Sequence, residues 1–305
     1  MSFSITVLGS SASIPTSTRN PSGMVVKLNN DYYLVDCGEG TQMQLRRYNI
    51  KMQRINHIFI SHLHGDHFFG LIGLISSFHL MGRKDPLHIY SDAKLREIIE
   101  LQLLASQTYL VYSLIFHPLP TYPEVIYENE HQFVKSFPLD HRIPTRGFLF
   151  AEKPRLRKVR KAFLSKEDVS IEQIKLIKAG ADYISNSGKV FENSSITIEP
   201  AKPRSFAYCS DTKYNETLIE HLQNATLLYH EASFSNDMAL VADEKFHSTA
   251  QQAASIAQKS NVDQLLIGHF SARYKNTDEL LREACAVFPN TLIAEDGMVL
   301  GIFSK

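Results

Sequence analysis

The sequence lacks an excess of either charge, a paired set of cysteines and any apolar run long enough to cross a bilayer. Each absence closes a class of function. Lys+Arg and Asp+Glu both number 32, so the formal net charge is zero. Global charge therefore gives no hint of nucleic acid, and any such case must rest on local patches. The cysteines are only three, Cys37, Cys209 and Cys285, and they are widely spaced; they form neither a zinc-finger spacing nor a disulfide framework. The longest apolar run, "FFGLIGLI" at 68–75, is far below the roughly 20 residues of a membrane helix. "MSFSITVLGS" has no basic stretch followed by a long apolar one, so no secretory signal is read there and a cytoplasmic location is expected. What remains is 305 residues, 44% hydrophobic and 21% charged, a composition that suits a folded protein with a real core.

Along the chain, strands dominate both halves with helices between them. "FSITVLGS" (3–10) alternates as a strand does, "MVVKLNNDYYLVDCG" (24–38) reads as a hairpin around a tight turn, and "INHIFISH" (55–62) as a buried strand. Helices are expected at 41–50, 68–81, 92–106 (capped by Asp92), 213–223, 247–259 and 277–287. Further strands are expected near 111–117, 123–127, 132–139, 196–199, 205–209, 226–230, 264–268, 291–294 and 297–303. Two β-rich halves with flanking helices point to an α+β fold, a four-layer αββα sandwich forming a single domain over 1–305. The stretch 151–186 differs: Lys153, Arg155, Arg157, Lys158, Arg160 and Lys161 crowd its start, and it reads as a protruding basic insertion.

The chemistry concentrates in "FISHLHGDHFFG" (59–70), where His62, His64, Asp66 and His67 fall within six residues directly after an apolar strand. His62 and His64 are two apart, so in extended chain they point the same way and can grip one metal. Asp66 and His67 follow Gly65, which is expected to turn the backbone tightly and aim them at a second metal. Imidazole and carboxylate without thiolate suit Zn²⁺, with Mn²⁺ or Fe²⁺ as alternatives. One segment cannot complete two sites. His141, Asp211 and His269 each follow an apolar strand, the place where sheet enzymes put their working side chains. A lone histidine there is usually an ordinary loop residue; the four-residue cluster is what raises these three. Together they make seven ligands for two metals, with Asp211 as a natural bridging carboxylate.

"HLHGDH" (62–67) matches the HxHxDH signature of the metallo-β-lactamase fold, and the chain as a whole resembles the ribonuclease Z family. The resemblance runs through "TRNPSG" (18–23), "VDCGEGTQMQL" (35–45), "SHLHGDHFFG" (61–70), "LDHRIPTRGF" (139–148), "SDT" (210–212), "HEASF" (230–234), "HSTAQQAA" (247–254), "GHFSARY" (268–274) and "AEDGM" (294–298). It implies two zinc ions per subunit, one on His62, His64, His141 and Asp211, the other on Asp66, His67, Asp211 and His269. It implies Asp66 as the group that takes the proton of the attacking water, and it is the main ground for His247 as the general acid; Glu231 could orient that histidine. It also implies precursor tRNA as substrate, a homodimer, and an arm at the place of the basic insertion that clasps tRNA, usually from the other subunit. The insertion departs from that pattern in lacking a recognisable Gly/Pro-rich tip.

Two metals about 3.5–4 Å apart clamp both the attacking and the leaving oxygen of a phosphodiester, and a zinc-bound water has its pKa lowered to about 7. Ser271 and Arg273 in "SARY" could contact substrate phosphates, and the hydroxyl-rich loop 9–20 could do so through backbone donors. A basic run is most often a solvated face, but Lys153, Arg155, Arg157, Lys158 and Arg160 are the candidate grip on an RNA backbone. The expected activity is that of a zinc endoribonuclease removing the 3′ trailer of precursor tRNA and leaving a 3′-hydroxyl. A same-fold phosphodiesterase of small diesters and a non-catalytic RNA-binding scaffold are the alternatives.

Overall fold

In the computed structural model, which describes residues 2–303, two seven-stranded sheets organise most of the chain. The strands are β1 (Phe3–Gly9), β2 (Gly23–Leu28), β3 (Asp31–Cys37), β4 (Ile55–Phe59), β5 (Leu87–Ser91), β6 (Leu114–Pro118), β7 (Glu124–Glu128), β8 (Gln132–Leu139), β9 (Thr145–Glu152), β10 (Ser205–Cys209), β11 (Leu227–Glu231), β12 (Leu265–Gly268), β13 (Thr291–Ile293) and β14 (Val299–Gly301). The first sheet runs β14-β1-β2-β3-β4-β5-β6 and the second β13-β12-β11-β10-β9-β8-β7. β3 to β6 are parallel, as are β10 to β13. The candidate metal ligands emerge after the carboxyl ends of β4, β8, β10 and β12.

The strands read as nearly continuous apolar runs because both faces are covered. Tyr33, Val35, Phe59 and Tyr90 of the first sheet meet Phe148, Phe150, Phe206 and Tyr229 of the second in the inter-sheet core. On the other face of the first sheet, Leu34, Ile58 and Ile89 pack with Leu71, Leu74, Ile75 and Phe78 of a helix. On the second sheet, Ala207, Leu228 and Ile267 pack with Ala250, Ala253, Ala257 and Leu280. Side chains alternate between layers with the strand period of two, so the fold is the expected α+β four-layer sandwich.

The chain divides into two compact units, residues up to Ala151 with Arg204–Phe303, and Glu152–Pro203. The second unit has its own small core of Val159, Phe163, Ile177, Tyr183 and Ile196. It contains a helix at Ile171–Lys178 whose start carries a reciprocal Ser170–Gln173 capping box. It extends to Pro203, past the 186 boundary read from the basic run.

Some local expectations differ from the structure. The segment 68–81 is two helices, Gly65–Phe68 and Leu71–Leu80, interrupted at Phe69 and Gly70. The interruption follows from close backbone packing: Gly70 donates its N–H to the Cys37 carbonyl, and a Cβ on Gly70 would lie 2.1 Å from the Gly38 oxygen. Asp92, by contrast, caps the following helix (Lys94–Ala105) as expected: its carboxylate accepts the Lys94 N–H at 2.9 Å, and Ala93 already has helical φ and ψ. The expected helix at 213–223 is a 3₁₀ turn, Glu216–Leu218, followed by Ile219–Leu222. β9 is a strand that the sequence conceals, because "TRGFLFAE" abuts the basic run and reads as part of it.

Candidate metal centre

His62 and His64 follow β4, His141 follows β8, Asp211 follows β10 and His269 follows β12. Asp66 and His67 sit in the short helix Gly65–Phe68. The structure brings all seven together. His62, His64, His141 and Asp211 form one group of potential donors, and Asp66, His67 and His269 a second, the donor atoms of each lying within 4.8 Å of one another. Asp211 joins the two. Its Oδ2 lies 3.6 Å from His62 Nε2 and 3.8 Å from His141 Nε2, while its Oδ1 lies 3.4 Å from His67 Nε2 and 3.2 Å from His269 Nε2. Each carboxylate oxygen faces one group, the disposition of a bridging ligand.

The donor set fits cations. His62 Nε2 lies 3.0 Å from His64 Nδ1, which lies 3.2 Å from His141 Nε2. Ligands held at about 2.0–2.2 Å around a tetrahedral zinc are separated by roughly 3.3–3.6 Å, so little movement would be needed. The buried Nε2 atoms of His67 and His269 have no hydrogen-bond partner, and such atoms cost free energy unless something satisfies them. Burial, reinforced by neighbouring imidazoles, holds His62 well below its usual range and His64 and His141 below theirs. Neutral imidazole is the form that binds metal. At His67, burial opposes charge, but the carboxylates of Asp66, Asp211 and Asp36 outweigh it and raise the ring well above its ordinary value. Burial opposes ionisation of Asp66 and Asp211 too, yet the histidines around them, foremost His67 for Asp66 and His269 for Asp211, drive both well below the usual carboxylate range. A concentration of carboxylate charge with proton-sharing histidines is what a bound cation would neutralise, with release of protons.

The outer ends of these side chains are held in place. Asp36, fully buried at the end of β3, accepts from Ser61 N–H at 2.7 Å, Ser61 Oγ at 2.9 Å, His67 Nδ1 at 2.8 Å and Tyr208 O–H at 2.8 Å. A proton on His67 Nδ1 leaves Nε2 free to face the centre. Ser233 Oγ lies 3.0 Å from His269 Nδ1 and 2.7 Å from a Glu231 oxygen. The Phe246 carbonyl is 2.9 Å from His141 Nδ1, and the Ser13 N–H donates to Asp66 Oδ2 at 2.8 Å. The loop expected to offer donors to a phosphate thus spends one of them on Asp66. Asp36, Ser61, Ser233 and Tyr208 do not stand out in the sequence. Their one signal is a carboxylate closing the apolar run "YYLVDC".

His247 lies beside this centre, and it forms a further donor group with Asp211 and His269. Its Nδ1 is 2.7 Å from Glu231 Oε1, and Glu231 is fully buried at the end of β11. Burial opposes a charge on His247; the Glu231 carboxylate outweighs it and raises the ring to about 9. The helix Ala250–Lys259 begins just beyond, with Thr249 as its cap and Ser248 Oγ bonded to the Thr212 carbonyl. His247 is therefore not the capping residue, and its ring is free for other work.

A cavity of about 460 Å³ opens over the centre, lined among others by Ser13, Ile14, His64, Asp66, Asp211 and His247. Ser271 and Arg273 are not among its lining residues. Arg273 bonds Ser271 Oγ at 3.2 Å and lies over the Phe234 ring. Lys153, Arg155, Arg157, Lys158 and Arg160 belong to the second unit. There Arg155 pairs with Glu152 at 2.8 Å and Arg157 donates to Thr197 Oγ1 at 2.7 Å, while Lys158 and Arg160 are exposed.

A family model described as anti-Pycsar protein Apyc1 matches residues 3–136. The chain is 44% identical over 301 residues to a protein of Bacteroides fragilis strain YCH46 named ribonuclease Z, covering 98% of this chain and 99% of that one. The crystal structure of human tRNase Z, short form, superposes with a TM-score of 0.74 at 30% identity, covering 98% of this chain and 99% of that one. The metallo-β-lactamase fold protein YhfI from Bacillus subtilis, 20% identical, matches at a TM-score of 0.69 over 98% of each chain, a likeness of fold alone.

Proposed function

The chain belongs to the ribonuclease Z family, and from that premise we propose that it processes precursor tRNA with two zinc ions held in its His/Asp centre. It is an endoribonuclease that removes the 3′ trailer of precursor tRNA. The near full-length identity to ribonuclease Z relatives sets aside a small-diester enzyme and a non-catalytic scaffold. The observation that carries the metal reading is Asp211, whose two carboxylate oxygens each face a separate group of histidines.

In this reading one ion takes His62, His64, His141 and Asp211, the other Asp66, His67, His269 and Asp211. When bound, the ions would polarise the scissile phosphoryl group and acidify the attacking water. Asp66 takes the proton of that water, its carboxylate held by the Ser13 N–H and kept ionised by its histidine neighbours. The water oxygen bonds to phosphorus as the bond from phosphorus to the ribose 3′-oxygen breaks. His247, charged through Glu231, gives its proton to that oxygen. The products are a 3′-hydroxyl on the tRNA and a 5′-phosphate on the trailer. Glu231 acts by holding the imidazole through Nδ1, which leaves Nε2 for the transfer.

Lys158 and Arg160, with Lys153, Arg155 and Arg157 around them, grip the tRNA backbone without reading sequence; Ser271 and Arg273, outside the cavity lining, are the further candidate phosphate contacts. The enzyme works as a homodimer in the cytoplasm. Among the described residues no helix is long and apolar enough to cross a membrane. The test is cleavage of a precursor tRNA with the new 3′ end mapped. A tRNA ending in a 3′-hydroxyl, with activity abolished by EDTA and restored by Zn²⁺, is expected. Undiminished cleavage by metal-free protein would overturn the mechanism.

A further inference from the structure

Phe69 stands out among the exposed apolar side chains. It is 64% exposed, yet it lines the cavity over the metal centre together with His64, Asp66 and His247. Its backbone N–H is tied to the Gly65 carbonyl at 2.9 Å, and its ring meets the buried Phe68 ring edge-on at 5.0 Å between centroids. Above all, the ring lies against Gly65 itself. A Cβ on Gly65 would fall 2.2 Å from the Phe69 Cε2 atom and within 2.6 Å of two more ring atoms. Gly65 has no left-handed φ, so the turn expected of it in the sequence is not the reason for a glycine there. The glycine lets one side of the ring seat on the backbone between His64 and Asp66.

A solvated aromatic ring, fixed on the segment that carries four candidate ligands, is an unusual place to expose apolar surface. The same cavity lining has Ile14, itself 60% exposed, and Pro15, with Arg142 and Glu39 as charged members besides the groups of the centre. Among the parts of an RNA chain, only a base offers a flat apolar face to such a ring. Sequence-tolerant contacts of single-stranded RNA are built by stacking bases on aromatic side chains. We infer that Phe69 is a stacking platform for the base of a nucleotide flanking the scissile phosphodiester, splaying it out of the single strand so that the phosphate reaches the metal centre. Gly65 is the positioning residue for that platform. This rests on the pre-tRNA reading.

The test uses the metal-loaded full chain and three synthetic precursor tRNAs: intact, abasic at the discriminator nucleotide, and abasic at the first trailer nucleotide. Cleavage of the intact substrate by wild type checks the pre-tRNA reading separately. Given that cleavage, one of the two abasic substrates should lose kcat/KM by a factor of about 5 to 150, the range expected for removing one base stack. F69A should lose a similar factor on the intact substrate and little more on that abasic one. F69W should stay within about threefold of wild type, and F69L, apolar but not aromatic, should fall with F69A. The proposal is overturned if wild type cleaves both abasic substrates at the intact rate. It is overturned equally if F69L matches wild type, or if F69A loses its full factor again on the abasic substrate. Because Phe69 is exposed, F69A and F69L should keep the wild-type melting temperature, which separates loss of stacking from loss of fold.

Discussion

Asp36→Asn is the substitution whose consequence can be worked furthest from the structure. Oδ1 of Asp36 accepts the Ser61 N–H, and Oδ2 accepts from Ser61 Oγ, His67 Nδ1 and Tyr208 O–H, all between 2.7 and 2.9 Å. Asparagine keeps the shape and removes the acceptor from one end. If its amide nitrogen replaces Oδ2, it faces three donors; if it replaces Oδ1, it faces the Ser61 N–H. Tyr208 cannot ease the conflict by ionising, because burial pushes its hydroxyl well above the ordinary range even without the Asp36 charge. Each buried polar group left unsatisfied costs about 1–3 kcal/mol, so one to two such groups predict a loss of about 2–4 kcal/mol and a melting temperature lower by about 5–10 °C in EDTA. The second consequence falls on the metal. Without a carboxylate to accept from His67 Nδ1, the ring is no longer fixed with its Nε2 lone pair inward, and loss of such a support typically weakens metal binding about 10–100-fold. Differential scanning calorimetry of the metal-free protein and a zinc-chelator competition measure the two effects independently. A D36N protein that melts with wild type and holds zinc as tightly would refute the assignment of Asp36 as the carboxylate that orients His67.

The other predictions concern the reacting groups. Asp66→Ala should lower kcat on pre-tRNA by at least about 100-fold with little change in the far-UV spectrum; wild-type turnover would remove Asp66 from the mechanism. His247→Ala should slow pre-tRNA cleavage by a factor of about 10²–10⁴ but scarcely affect a p-nitrophenyl diester, whose leaving group needs no proton; equal losses on both would count against a general acid. In Glu231→Gln the carboxylate that raises His247 to about 9 is gone, so burial prevails and the ring loses its proton at lower pH. The alkaline limb of kcat should therefore move toward acid, and an unmoved limb would sink the pairing. The same pair contributes to folding of the metal-free protein. Its share is complete below the unfolded histidine value of about 6.5 and is lost as pH rises through about 9, so the stability gap between wild type and E231Q should close over that window. The triple variant Lys158→Ala, Arg160→Ala, Lys161→Ala should raise KM for pre-tRNA and flatten its salt dependence by about one unit of slope for each phosphate no longer neutralised. A small diester should be cleaved as before, and an unchanged salt slope would argue against the basic run as an RNA grip.

The seven donors are legible in the sequence because their signals are local. Four lie within six residues, and the other three each follow an apolar strand: Asp211 and His269 the parallel strands β10 and β12, and His141 the strand β8 outside that parallel set. The supporting groups are not legible, for a physical reason. Asp36 acts only because the end of β3 meets Tyr208 of the opposite sheet and His67 of a later helix, a convergence that no spacing along the chain records. The break at Phe69 and Gly70 is invisible to periodicity for the same reason, since the 3.6-residue pattern continues through it while the Gly70 N–H turns to the distant Cys37 carbonyl. β9 is hidden by its neighbours: charge at 153–161 suggests an insertion before the sheet has ended.

Left-handed backbone, spread over several turns of the chain, also falls at some residues of the centre. Asp36, Phe246 and His269 hold left-handed φ values of 55°, 60° and 58°. None is a glycine, and each such conformation costs roughly 1–3 kcal/mol unless its surroundings impose it. Asp36 holds His67 and His269 is itself a donor. Phe246 presents its carbonyl to His141 Nδ1 and is followed directly by His247. One strained peptide therefore links a candidate ligand of the first metal group to the proposed proton donor. If the His141 ring turned away, the Phe246 carbonyl would lose that partner. A candidate ligand and the proposed proton donor are in this way joined at one turn. The turn has its own support: the Phe246 N–H bonds the Asp243 carbonyl at 3.1 Å and the His247 N–H bonds the Ala242 carbonyl at 2.8 Å, closing the helix Ala239–Glu244 and holding a bulky residue in a region of φ that favours glycine.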